Sequence, residues 1–285
     1  MKCSRFRPLA LFVATLLLLL VSCNQRQTGS SPTAASISAE ATPMPPLRID
    51  AAASLRNVLI SLGTSFAKDH KTVIKPQFAS SGQLAQQLLA APRADVFLSA
   101  SSRWMDKLAQ AGKLAKGTRR DLFHGVLVLV AHRDAPFSIK GLEELAALPV
   151  ERIVIGEPDS VPAGRYAKEL LEKRRDFEGH SLWQRLEKKF VTMPSVTAVA
   201  AQVVASHGVV GFVYGSDATD MKELRILASF PPPDGPRVVY PGAVLGQSTH
   251  PEARAFLDFL ETPAARGILV EHGFVVSPGL PNSAR

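Results

Sequence analysis

From Leu47 onward the chain alternates between two hydrophobic periods. The short β-like runs LRIDAA (47–52), VIKPQFA (73–79), ADVFLSA (94–100) and RIVIGE (152–157) each lead into a stretch whose apolar residues return every three or four positions. The first such stretch carries Leu55, Val58, Leu59, Leu62 and Phe66, and the second Leu84, Leu88 and Leu89. SSRWMDKLAQAGKL and PAGRYAKELLEKR follow the same rule, and VVGFVYG (209–215) comes after a helical pattern of Val196, Val199, Ala200, Val203 and Val204. Short runs rich in β-branched and apolar residues read as strands, and the longer period reads as a helix with one wet face. Their alternation predicts an α/β fold of parallel sheets covered by helices. The β-rich runs GVLVLVAH (125–132) and VVYPGAVL (238–245) set a middle block apart from the two ends. The expected division is a lobe of residues 47–127 plus 242–280 and a second lobe of 128–241, joined by two crossing strands. Between such lobes lies a crevice at the C-terminal ends of the strands, where open α/β sheets hold ligands.

The N-terminus departs from this rhythm. Lys2, Arg5 and Arg7 precede an apolar run from Leu11 to Val21, which is too short for an ordinary membrane span. Residues 1–22 therefore read as a secretory signal, and the protein is expected to be exported. The run ends in Leu20-Val21-Ser22-Cys23, which resembles the lipobox of bacterial lipoproteins. On that reading Cys23 carries a lipid that anchors the protein to a membrane, in the periplasm or at the cell surface. A plain cleavable signal with an incidental cysteine fits the same small residues. Either way Cys3 is lost with the signal, and no pair is left for a disulfide. The rest of 23–46 is rich in Ser, Thr, Ala and Pro, cannot bury a core, and reads as a disordered tether spanning roughly 25 to 30 Å.

The 285 residues are 46% apolar and 20% charged, enough for one large or two smaller cores. The net charge of +8 invites a nucleic-acid reading. The signal region, however, holds three of the 33 basic residues and none of the 25 acids, so the excess falls to +5. The remaining cations, including the doublets at 119–120 and 173–174, are interspersed as on a solvated face. No nucleic-acid partner is expected. The seven histidines are dispersed, and no HExxH, cysteine cluster, GxSxG or GxxxxGK[ST] occurs. Neither a zinc site nor a cofactor is expected. Ser65-Phe66-Ala67-Lys68 matches the SxxK of penicillin-binding proteins and β-lactamases, but it falls late in a helix, where that motif's serine belongs at a helix start. Ser216-Asp217 lacks the asparagine that should follow it, and KTG is absent, so the chain reads as a binder, not an enzyme.

Small residues recur where strands turn into helices: Ser54, the pair Ser80-Ser81, Ala163-Gly164 and Ser195. Each helix N-terminus offers unpaired N–H donors and about half a positive charge. Several converging on one crevice would form an anion site without a lysine or arginine. Each serine is equally explained as a helix cap, and Ser80 with Gln83 matches a capping box. For the pair the two roles are compatible: Ser80 caps, and Ser81 points its hydroxyl and N–H outward.

AAASL (51–55), FASSGQLA (78–85), ADVFLSASSRWMDKL (94–108), GEPDSVPAGRYAKE (156–169) and GFVYGSDA (211–218) resemble, in the same order, motifs of the periplasmic molybdate-binding proteins of ABC importers. The resemblance runs from about Leu47 to Phe274. It implies a two-lobe type II periplasmic-binding-protein fold with two hinge strands, closing over a tetrahedral oxyanion without catalysis or cofactor. The ligand would be molybdate, with tungstate as a second candidate, held by Ser54, Ser81, Ala163, Val196 and Tyr214. Molybdenum would enter only as the oxyanion, with no side chain bound to the metal. Apart from the resemblance, Tyr214 and Val196 fit as core residues, and Arg165, third in its helix, is expected to face solvent. The implied partner is the membrane permease of the importer, and the binding protein would act as a monomer. A protein of the same fold for sulfate or another oxyanion is the alternative.

Overall fold

The computed structural model describes residues 44–70, 72–176 and 178–276. The signal, Cys23 and nearly all of the tether lie outside the described residues. Strand β1 (Leu47–Ala52) runs through a 3₁₀ turn at Ala53–Leu55 into helix α1 (Arg56–Asp69). β2 (Ile74–Ala79) leads into α2 (Ser81–Ala90), and β3 (Val96–Leu98) into α3 (Ser102–Gln110). Only Val126 separates β4 (Arg120–Gly125) from β5 (Leu127–His132). β6 (Arg152–Gly156) is followed by α4 (Pro162–Lys173) and α5 (Leu182–Leu186), β7 (Phe190–Met193) by α6 (Val196–Val204), and β8 (Val209–Tyr214) by α7 (Gly215–Asp220). β9 (Leu224–Phe230), β10 (Val238–Val244), α8 (Glu252–Phe259) and α9 (Pro263–Glu271) complete the described body. No helix among the described residues is long and apolar enough to cross a membrane.

The strands form two five-stranded sheets, ordered β2-β1-β3-β10-β4 and β7-β6-β8-β5-β9. β1 pairs in parallel with β2 and β3, and β6 in parallel with β7 and β8. β10 enters the first sheet antiparallel to β3 and β4, and β5 enters the second antiparallel to β8 and β9. The chain thus passes between sheets twice, at Val126 and through residues 231–237. β10 pairs within the first sheet from Val238 on, so the second passage lies ahead of the expected division at 241/242. Pro241 has no N–H to give to a ladder, and the register shifts at that step.

Position in the sheet explains the wording of each strand. Central β1 is buried at five of its six residues, whereas edge strand β2 alternates between half-buried and exposed. A strand covered by helices on both faces has to be apolar on both, and an edge strand does not. The helices cover these faces with narrow stripes: Val58, Leu59, Leu62 and Phe66 of α1, and Val199, Ala200 and Val203 of α6. One core joins these stripes across both sheets, and a smaller one surrounds Phe97, Trp104 and Met105. Each large side chain buried in this way stabilises the fold by about 1.5 to 3 kcal/mol. The parallel strands β1, β2, β3, β6, β7 and β8 all end at the same crevice, and the elements that follow them begin there.

Candidate functional site

One narrow cavity is lined by Ala52, Ala53, Ser54, Ser80, Ser81, Ala100, Val161, Pro162, Ala163, Val196 and Tyr214. All five residues implied by the resemblance are among them. Its volume is about 10 Å³, on a scale where one water needs about 10 to 15 Å³. A guest with four oxygens therefore enters only if the walls part.

Three helix starts form most of the wall. At α2, Ser80 is the N-cap: its Oγ accepts from the Gln83 N–H at 3.3 Å, and its own N–H donates to Gln83 Oε1 at 3.3 Å. Ser81 is fully buried, and its Oγ accepts from the Ala100 N–H at 3.0 Å, which leaves the hydroxyl proton free to donate. At α4, Pro162 occupies the first turn, and the N–H of Ala163 is one of the donors without an intrahelical acceptor. Gly164 is required here, because a Cβ on it would come within 1.8 Å of the Gly156 carbonyl oxygen. At α6, the N-cap Ser195 accepts from the Ala198 N–H at 3.1 Å, and Val196 presents its backbone at the first helical position. Ser195 thus caps its helix and does not line the cavity, while Ser54 and Ser81 do.

Tyr214 completes the wall from the end of β8. It is 1% exposed, and its Oη has no hydrogen-bond partner among the described residues. Burial pushes its phenol well above the usual range, so it stays neutral and able to donate. Its N–H donates to Asp217 Oδ2 at 3.1 Å. Ser54 Oγ lies 3.2 Å from Tyr240 Oη, with either atom able to donate, and Tyr240 packs edge-on against Tyr214 with centroids 5.8 Å apart. Among the described residues no carboxylate, ammonium or guanidinium lines the cavity, which offers hydroxyls, N–H groups and three positive helix ends. Such a wall is suited to a fully deprotonated anion and can leave a bound O–H without an acceptor.

Three arrangements were missed in the sequence. Tyr240 supports Ser54 from 186 positions away, and no local signal marks that pairing. Arg165 does not face solvent as expected. Its side chain lies over the Tyr166 ring, pairs with Glu169, and reaches Ser101 Oγ at 3.0 Å. The dispersed histidines hide one cluster, in which ligand atoms of His132, Asp134 and His207 lie within 4.8 Å of one another; Asp176, Glu178 and His180 form a second. Both clusters are outside the cavity. Ser65 and Lys68 are far along α1 and do not reach the cavity either.

The family of bacterial extracellular solute-binding proteins matches residues 47–275. The molybdate-binding protein ModA of Escherichia coli is 34% identical over 81% of this chain and 89% of its own length. A Bacillus subtilis protein, named as a candidate substrate-binding lipoprotein of an ABC transporter, is 30% identical over 94% of this chain and 98% of its own. Among solved structures, the periplasmic molybdate-binding protein of Azotobacter vinelandii superposes with a TM-score of 0.71 at 22% identity, covering 81% of this chain and all of that one.

Proposed function

Since the chain belongs to the family of bacterial extracellular solute-binding proteins, we propose that it is the substrate-binding component of an ABC importer and captures molybdate in the cavity between its two halves. The fold is that of the type II periplasmic binding proteins. Ser54 and Ser81 donate through hydroxyl and N–H, Ala163 and Val196 through N–H, and Tyr214 through its phenol. One observation carries the reading: a wholly buried, unpartnered Tyr214 hydroxyl at a wall of three helix starts with no charged side chain.

Each hydrogen bond to a charged guest is worth about 1.5 to 3 kcal/mol, so about seven donors supply on the order of 10 to 20 kcal/mol gross. Stripping the dianion of water and closing the two halves consume much of this, leaving an affinity in roughly the nanomolar to micromolar range. Hydrogen phosphate brings a donor that finds no carboxylate, and it loses about 1 to 3 kcal/mol or more. Sulfate is excluded only by size. Tungstate, similar in charge and shape, binds alongside molybdate. The protein is exported, held to a membrane through Cys23, acts as a monomer, and passes its cargo to a permease without chemical change.

Calorimetric titration of the mature protein with molybdate, tungstate, sulfate and phosphate tests this. One-to-one binding of molybdate and tungstate, with phosphate silent, is the expected result. Absence of molybdate binding, or equal affinity for phosphate, would overturn it.

A further inference from the structure

The cavity has no cation of its own, but just outside it there are several. Between α3 and α4 lies an open groove of about 490 Å³ lined by Arg103, Lys107, Arg165 and Arg237, against the single acid Asp106. Asp106 is paired with Arg119 and Arg165 with Glu169. Arg103, Lys107 and Arg237 are exposed and enter no ion pair among the described residues. Lys107 and Arg103 flank the Trp104 ring at 4.3 and 5.7 Å, which holds two of these charges at the rim.

Two segments connect groove and cavity. Ala100 lines the cavity, and Ser102 and Arg103 line the groove two and three residues later. On the facing side Ala163 lines the cavity, and Arg165 and Tyr166 line the groove. The hydrogen bond from Arg165 to Ser101 Oγ stands between the two spaces.

We propose that this groove is a capture vestibule for the oxyanion, a second and weaker anion site that gathers the guest before the cavity closes on it. The inference rests on the oxyanion reading above. Helix ends attract only within about their first turn, whereas unpaired charges act over a Debye length of roughly 8 to 10 Å. The sealed donors therefore hold the anion but cannot draw it in; the groove draws it in but does not hold it. Capture rate and selectivity are set by different residues.

The test is stopped-flow binding of molybdate, followed by tryptophan fluorescence, for the wild type and for R103Q/K107Q/R237Q. None of the three residues lines the cavity. At low ionic strength the association rate of the variant is expected to fall about tenfold. The gap should close near about 0.5 M salt, with dissociation unchanged within about twofold. A control, K75Q/K188Q/K222Q, removes the same charge from exposed sites outside the groove and should keep the wild-type rate. Equal association rates and salt slopes in groove variant and wild type would overturn the vestibule, as would equal slowing in the control. A wild type that shows no molybdate binding by calorimetry instead removes the oxyanion reading itself.

Discussion

A buried hydroxyl without a partner destabilises a fold by about 1 to 3 kcal/mol, and Tyr214 Oη is one. The arrangement is sensible only if that hydroxyl is bonded in a state that matters. Tyr214→Phe should therefore leave the melting temperature of the ligand-free protein equal or slightly raised, and weaken molybdate binding several-fold to about a hundredfold. Calorimetry and thermal denaturation check the two halves, and a drop in stability would make Tyr214 a structural residue. Ser81→Ala should behave differently. Its Oγ anchors the Ala100 N–H, so the substitution strips one donor from the cavity and orphans another buried group. Affinity and ligand-free stability are both expected to fall, the latter by about 1 to 3 kcal/mol. The serine and its helix start could be read from FASSGQLA; the bond to Ala100 could not, because a residue 19 positions away is placed by the sheet and not by local spacing.

Among the elements, the helix starts were the most legible part, since each follows a strand and has a small residue at or beside its start. The packing that fixes them was less visible. Gly164 looks like a permissive turn residue, yet its role is contact: a side chain there would meet the Gly156 carbonyl. Gly164→Ala should push the start of α4 away from β6, and with it the Ala163 N–H, weakening molybdate binding by about tenfold or more while far-ultraviolet circular dichroism stays unchanged. At the start of α7, burial raises the Asp217 carboxyl to about 7, partly offset by the Tyr214 N–H. Between about pH 4, where a free carboxyl titrates, and about 7, the folded chain keeps a proton that the unfolded chain has lost. Stability should then fall as pH rises through that window and level off above it. Thermal melts of Asp217→Asn should lack this fall, and an identical pH profile in variant and wild type would show that the carboxyl titrates normally. None of this was apparent in GFVYGSDA, where Asp217 shows only as an acid near a helix start.

For the whole molecule, the alternation of strand and helix foretold two sheets sharing one crevice, and the topology explains why: six parallel strands, three in each sheet, end toward it. The pattern could not say how the halves meet, because contacts across a cleft join residues that no period relates. Those contacts are few. Among the described residues, Gly82 N–H donates to the Ser160 carbonyl at 3.0 Å, Arg165 reaches Ser101, Asn57 Nδ2 donates to Asp220 Oδ2 at 2.8 Å, and His272 Nδ1 lies 3.2 Å from Asp220 Oδ1. With only Val126 and residues 231–237 passing between the sheets, so small a set of bonds can be broken and remade as the halves part to admit a guest. Arg165→Gln removes a charged donor worth about 1.5 to 3 kcal/mol to the closed arrangement. If closure is required for tight binding, the apparent affinity should drop by the same factor as the closed population, about tenfold or more. Small-angle scattering should show the variant more expanded than the wild type without ligand, and equally compact at saturating molybdate. A variant that loses affinity with no change in ligand-free dimensions would mean that Arg165 acts on the anion directly and not through the bond that spans the cleft.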